Sequence, residues 1–169
     1  MGLFNNGIAE VLFADIAADG GAGTTFKALG KTLEGSFKIL TEDGTTTTFK
    51  SEETDDPEFE VTRGGSLGFE FQLMDPDADA LVAIFKGTKT ADGGYEPPDK
   101  TATVEKSFKV VPEMGLGFNV VRAKITGKFT DAMGKNALMG IIVTVKIMTP
   151  TKAGVKKFTM PKYPLATTP

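Results

Sequence analysis

Between Ser66 and Gly87 the sequence SLGFEFQLMDPDADALVAIFKG changes its hydrophobic period once, and that change limits what the chain can build. Leu67, Phe69, Phe71 and Leu73 alternate with Gly68, Glu70 and Gln72, which predicts an extended segment with one apolar and one polar face. Asp75 then has the chemistry of a helix N-cap, Pro76 suits a first helical position that needs no donor, and Asp77 and Asp79 favour the positive end of the helix dipole. Ala78, Leu81, Val82 and Phe85 follow at i, i+3, i+4 and i+7. The spacing predicts a helix over about 75–86 that packs Leu81, Val82 and Phe85 on the core and ends at Gly87. Burial of those three side chains would contribute roughly 1.5–3 kcal/mol each, enough to hold a helix too short to stand alone.

The remaining composition narrows the chemistry. A length of 169 residues with 40% hydrophobic and 24% charged residues suits one domain over 1–169 with a real core. With no cysteine there are no disulfides or thiolate metal sites, and with no histidine the commonest metal ligand and neutral-pH general base are missing. A net charge of −3 argues against a protein that grips nucleic acid by neutralising phosphates. The opening MGLFNNGIAEVLFADI lacks the early Lys or Arg of a signal peptide, and Asn6 breaks the myristoylation pattern, so no membrane partner is expected.

In chain order, the apolar run Ile8 to Ile16 reads as a strand and Ala17 to Thr25 as a mobile, glycine-dense surface loop without the Gly-Lys-Ser/Thr of a phosphate cradle. Leu33 to Ser51 reads as a long hairpin arm turning at Thr41-Glu42-Asp43-Gly44. Its distal part, Thr41 to Thr48, carries no large apolar side chain, so it is expected to protrude. Phe59 and Val61 make a further strand before Gly64-Gly65 turns the chain into Ser66. After the helix, Thr88 to Lys100 reads as a surface loop and Thr101 to Val111 as a strand, with a turn at Pro112 to Gly117. Val121 to Phe129 and Ile141 to Ile147 are long alternating strands, Val155 to Thr159 adds a short one, and the tail 160–169 reads as unpaired. The count predicts a mainly β fold: an antiparallel β-sandwich or barrel-like pair of sheets, one flanking α-helix and a long protruding hairpin.

Two acidic runs invite a metal reading. Glu52 to Glu60 lacks any loop spacing that would organise carboxylates around Ca²⁺. Asp75, Asp77 and Asp79 mimic the start of an EF-hand loop, but Ala80 stands where its glycine belongs and Lys86 where its glutamate does. Paired-carboxylate catalysis needs acids converging from separate elements, whereas Asp55, Asp56, Glu58 and Glu60 share one run. No enzyme activity, metal or cofactor is expected.

The short apolar N-terminal segment, the early hairpin with a polar tip, the acidic approach to Gly64-Gly65, the unit LGFEFQLMDPDADALVAIFKG and the long closing strands together resemble the major tail tube proteins of tailed bacteriophages. The resemblance covers about Gly7 to Thr159 and is one of layout; no signature motif carries it. It implies a virion structural protein made in the bacterial cytoplasm and built into the tail, as in the tubes of contractile tails and type VI secretion. Six subunits would form a ring, their inner sheets joining into one barrel, and rings would stack into a conduit for DNA. The implied partners are further copies, tail initiator or tape-measure proteins and a terminator, with DNA passing through the lumen without tight binding.

On that resemblance Leu3, Phe4, Ile8, Thr41, Glu42, Asp43, Thr45, Thr46, Thr47 and Thr48 are candidate contacts between subunits or rings. Glu58, Glu60, Glu70 and Gln72, on the polar faces of their strands, are candidate lumen residues, an ordinary outer surface being the alternative. Arg122, Lys124 and Lys128 form a basic face that either meets a neighbour's acidic face or lines the channel. The competing class is a monomeric β-barrel or sandwich that binds a small ligand or sugar. It is disfavoured by the absence of Trp and the presence of only Tyr95 and Tyr163.

Overall fold

A computed structural model describes residues 4–131 and 133–163. Its strands, in chain order, are β1 (Asn6–Ala14), β2 (Lys27–Ala28), β3 (Lys38–Glu42), β4 (Thr45–Lys50), β5 (Pro57–Arg63) and β6 (Ser66–Leu73). The helix α1 (Ala78–Phe85) follows, then β7 (Thr88–Lys89), β8 (Tyr95–Glu96), β9 (Val104–Leu116), β10 (Phe118–Phe129), β11 (Ile141–Ile147), β12 (Phe158–Thr159) and β13 (Lys162–Tyr163). The fold is mainly β and antiparallel, sandwich-like, with one helix, as the alternation predicts.

The main sheet runs β2-β1-β9-β10-β11-β6-β3, with β12 on β10 and β13 on β9. Three strands separate β1 from β6, which in a flat sheet would hold them about 19 Å apart. Yet the rings of Phe13 on β1 and Phe71 on β6 lie 6.2 Å apart. The sheet therefore curls until its two margins face each other across a core of Phe13, Phe69, Phe71 and Phe108, closed by Val143 and Val145. No strand bridges the gap between the margins among the described residues.

Helix α1 covers one side of this core with Ala78, Leu81 and Phe85 of the predicted stripe, but with Ala80 and Ile84 in place of Val82. Asp77, not Asp75, is the N-cap: its carboxylate accepts the Ala80 N–H at 2.8 Å, while Asp75 accepts the Lys31 N–H. Ala80 and Ile84 are the fully packed residues, Leu81 and Phe85 pack beside them, and Val82 lies half-buried off the core. The rotation follows from Gly127 on β10. A Cβ there would stand 2.4 Å from Ile84 Cγ2 and 2.9 Å from Phe85 Cζ, so the missing side chain is the slot into which this stripe settles. Gly127→Ala is accordingly expected to destabilise the protein by about 1–3 kcal/mol through overpacking, read as a lower midpoint in thermal or urea unfolding.

The predicted hairpin 33–51 is corrected by the pairing. β3 does not pair with β4; it pairs with β6, and β4 pairs with β5. The chain runs through Asp43-Gly44 without reversing, and the reversal comes at Ser51 to Asp56, inside the acidic run. Gly44 faces the returning strand at Gly64-Gly65, and a Cβ on Gly65 would stand 1.8 Å from the Glu42 carbonyl oxygen. These glycines let two neighbouring backbones approach closely where the ribbon leaves the body, and the same residue chemistry also makes turns.

Smaller corrections follow the same logic. The segment 88–100 contains the small hairpin β7–β8, and β9 continues through Pro112 to Leu116. The start of the tail is paired, since Lys162 and Tyr163 lie opposite Leu116 and Gly115. The glycine loop 17–25 is packed against the body: Gly20, Gly21 and Gly23 are buried, and the Gly23 N–H donates to Ser107 Oγ at 2.8 Å. Ser107, fully buried, donates in turn to the Val121 carbonyl at 2.7 Å.

Candidate self-association surfaces

Sequence alternation makes β4 and β5 a ribbon with two unlike faces. Phe49 lies opposite Phe59 with ring centroids 6.2 Å apart, and Val61 opposite Thr47 continues that apolar face. The other face carries Thr46 opposite Thr62, their hydroxyls 3.1 Å apart, and Thr48, whose hydroxyl donates to Glu60 at 3.3 Å. Every residue of β4 is exposed, Phe49 by 53%, and Phe59 on β5 is exposed by 62%. An isolated two-stranded ribbon is marginal in water, and one with two bare phenylalanines gains from being covered.

The body offers unfinished margins. Among the described residues, β3 has β6 on one side and no strand on the other, and β1 over Asn6–Val11 pairs only with β9. Such edges present unpaired backbone donors and acceptors that native proteins cover or complete. Between the two margins lies a groove of about 900 Å³, lined by Ile8, Leu33, Phe37, Ile39, Phe118 and Met160, with Glu34 and Glu113 beside them.

The candidate contact residues distribute over both parts. Thr45, Thr46, Thr47 and Thr48 lie on the projecting ribbon, whereas Thr41 and Glu42 lie on β3 opposite Leu67 and Ser66, and Asp43 sits at the joint. The Ser66 hydroxyl donates to the Glu42 carboxylate there. Phe4 is 81% exposed, Ile8 is half-buried against the core, and Leu3 lies outside the described residues. The candidate lumen residues fall on two surfaces: Glu58 and Glu60 on the ribbon, Glu70 and Gln72 on the polar face of the body sheet.

That polar face is basic. Lys124 lies opposite Lys146, Lys128 opposite Ile142, and Glu70 opposite both Thr144 and Lys38. Arg122 lies beside this face, its Nε and Nη2 reaching the two oxygens of Glu105 at 2.8 and 2.9 Å, and Nη1 donates to the Thr149 carbonyl. The hydrogen bond and charge of Arg122 hold the Glu105 carboxyl below the usual carboxylate range. Lys146 belongs to this face and was not singled out by sequence reasoning, although its alternation with Val145 and Ile147 carries the signal. Phe49 was missed as well, because a lone Phe after a threonine run does not reveal its partner. In the β10–β11 connection, Met133 and Leu138 are also strongly exposed.

A second concavity of about 710 Å³ gathers Asp15, Asp75, Asp77, Asp79 and Lys106 between the start of α1 and the end of β1. Its carboxylates are already engaged: Asp15 with Lys106 at 2.6 Å, Asp79 with Lys89 at 2.9 Å, Asp75 and Asp77 with backbone N–H groups. The hydrogen bond and charge of Lys106 keep the Asp15 carboxyl low. No group of three or more carboxylates among the described residues is arranged to hold a metal ion. No helix among them is long and apolar enough to cross a membrane. In comparisons with known proteins, no family model matches the chain and no curated protein matches it significantly.

Proposed function

We propose that the chain is a structural subunit, with no reaction of its own, that polymerises with identical copies into stacked rings. The product is the tail tube of a tailed bacteriophage, through which DNA is delivered to the host. Its place is the virion tail, and its other partners are the proteins that start, measure and terminate the tube.

The observation that carries this reading is a curled sheet with two margins unpaired among the described residues, beside a ribbon that exposes Phe49 and Phe59. A lone subunit in this state has both edges and apolar surface to cover, and copies of itself supply matching edges. Closed rings require contacts that pass from one copy to the next, which unlike surfaces on one subunit provide.

Electron microscopy and light scattering of the purified full chain test the reading: rings or hollow tubes are expected. A species that stays at 17.9 kDa at every concentration overturns it. The groove between the margins favours one other reading, a monomeric ligand-binding module, since its volume lies within the usual range for small-molecule pockets. The same measurement separates the two.

A further inference from the structure

Three lysines on the polar face of the body sheet form no ion pair among the described residues. Lys38 pairs with Glu70 at 3.6 Å and Arg122 holds Glu105, but among the described residues Lys124, Lys128 and Lys146 form no ion pair. All three are exposed. Lys124 and Lys146 lie directly opposite each other on β10 and β11, an arrangement in which like charges repel. Glu105 faces Lys124 from the β9 side, yet both its oxygens are taken by Arg122.

The ribbon carries the opposite imbalance. Glu52, Glu53, Asp55, Asp56, Glu58 and Glu60 are all exposed, and among the described residues none of them pairs with a cation. Their side-chain hydrogen bonds come from hydroxyls, Thr54 to Glu58 at 3.4 Å and Thr48 to Glu60 at 3.3 Å. The β4–β5 ladder continues outward from the β3–β6 ladder, so it carries these acids away from the sheet face of its own subunit.

We propose that the acidic outer half of the ribbon of one copy docks on Lys124, Lys128 and Lys146 of a second copy. The inference rests on the tube reading and deepens it by naming which two surfaces meet. Ribbon and lysine face are different surfaces, so the contact propagates from subunit to subunit. It also resolves a conflict: bare lysines lining a conduit would hold a moving polyanion by its phosphates, and an acidic ribbon laid over them removes that hold.

Charge exchange in the full chain tests the contact. One variant carries Lys124→Glu, Lys128→Glu and Lys146→Glu; a second carries Glu52→Lys, Glu53→Lys, Asp55→Lys and Asp56→Lys. Each alone is expected to raise the concentration needed for assembly by about tenfold or more, measured by sedimentation and light scattering. An equimolar mixture restores assembly, because each ribbon then meets a face of opposite sign, and a chain carrying both sets assembles by itself. Circular dichroism melts verify folding. Should the glutamate set fail to fold, Lys→Gln at the same three positions gives the same readout with a smaller shift.

Assembly of either variant at the parental concentration overturns the contact, as does a mixture no better than its components. A parental chain that never associates overturns the tube reading itself, a result distinct from parental tubes indifferent to these charges.

Discussion

Deleting Thr45–Arg63 is expected to leave a folded chain that no longer assembles. The deletion joins Asp43-Gly44 to Gly64-Gly65, which makes a four-residue loop between Glu42 and Ser66, already opposite each other at the end of the β3–β6 ladder. Four-residue hairpin loops are common, and three glycines give this one the freedom it needs. β4 is exposed throughout and β5 nearly so, with neither in the core, so the body loses little by their removal. The melting curve should therefore stay close to the parent's while light scattering reports monomer at concentrations where the parent forms tubes. Tubes from the shortened chain would show that the ribbon plays no part in association.

Phe108→Ala is expected to have the largest effect on the body, a loss of about 3–5 kcal/mol, against a total of roughly 5–15 kcal/mol for a domain. Phe108 is fully buried, and its ring stands 5.1 Å from Phe13, 5.3 Å from Phe69 and 6.2 Å from Phe71. These three come from both margins of the curled sheet, so removing the central ring both opens a cavity and loosens the curl. Urea unfolding checks the size of the loss; a shift below about 1 kcal/mol would mean that the rings close over the gap without it.

The strands that alternate cleanly were legible before any coordinates. Val121 to Phe129 and Ile141 to Ile147 are strands within the observed bounds, and Leu67, Phe69, Phe71 and Leu73 share one face of β6, three of them fully buried. A period of two is a local property, and these segments owe their exposure pattern to one side of the sheet being packed. Pairing partners are not local. Asp43-Gly44 is a strong hairpin signal, and it misled because the same glycine chemistry serves a close approach of two neighbouring strands. Only the position of Gly64-Gly65 across the ribbon distinguishes the two uses.

The helix shows the same limit. Its existence follows from the Asp and Pro residues before it and the apolar spacing within it, but Val82 and Ile84 compete to join Ala78, Leu81 and Phe85 on the buried stripe. Gly127, some forty residues later, decides between them, and nothing near the helix points to it. The candidate contact residues were legible as polar and unburied in Thr45 to Thr48, while the exposed faces of Phe49 and Phe59 depended on a ladder that the sequence does not display.

Strand order also bears on how the protein is made. β1 emerges early, yet its long ladder is with β9, where Phe13 lies opposite Phe108. At ribosomal speeds of about 5–20 residues per second, the first strand waits on the order of 10 s for the strand that completes its ladder. During that interval Val11 has no strand partner and Phe13 only Lys27 of the two-residue β2, on a polysome where identical nascent chains stand side by side. Slow synthesis through Thr88 to Thr101 would lengthen the wait, and faster decoding there would shorten it.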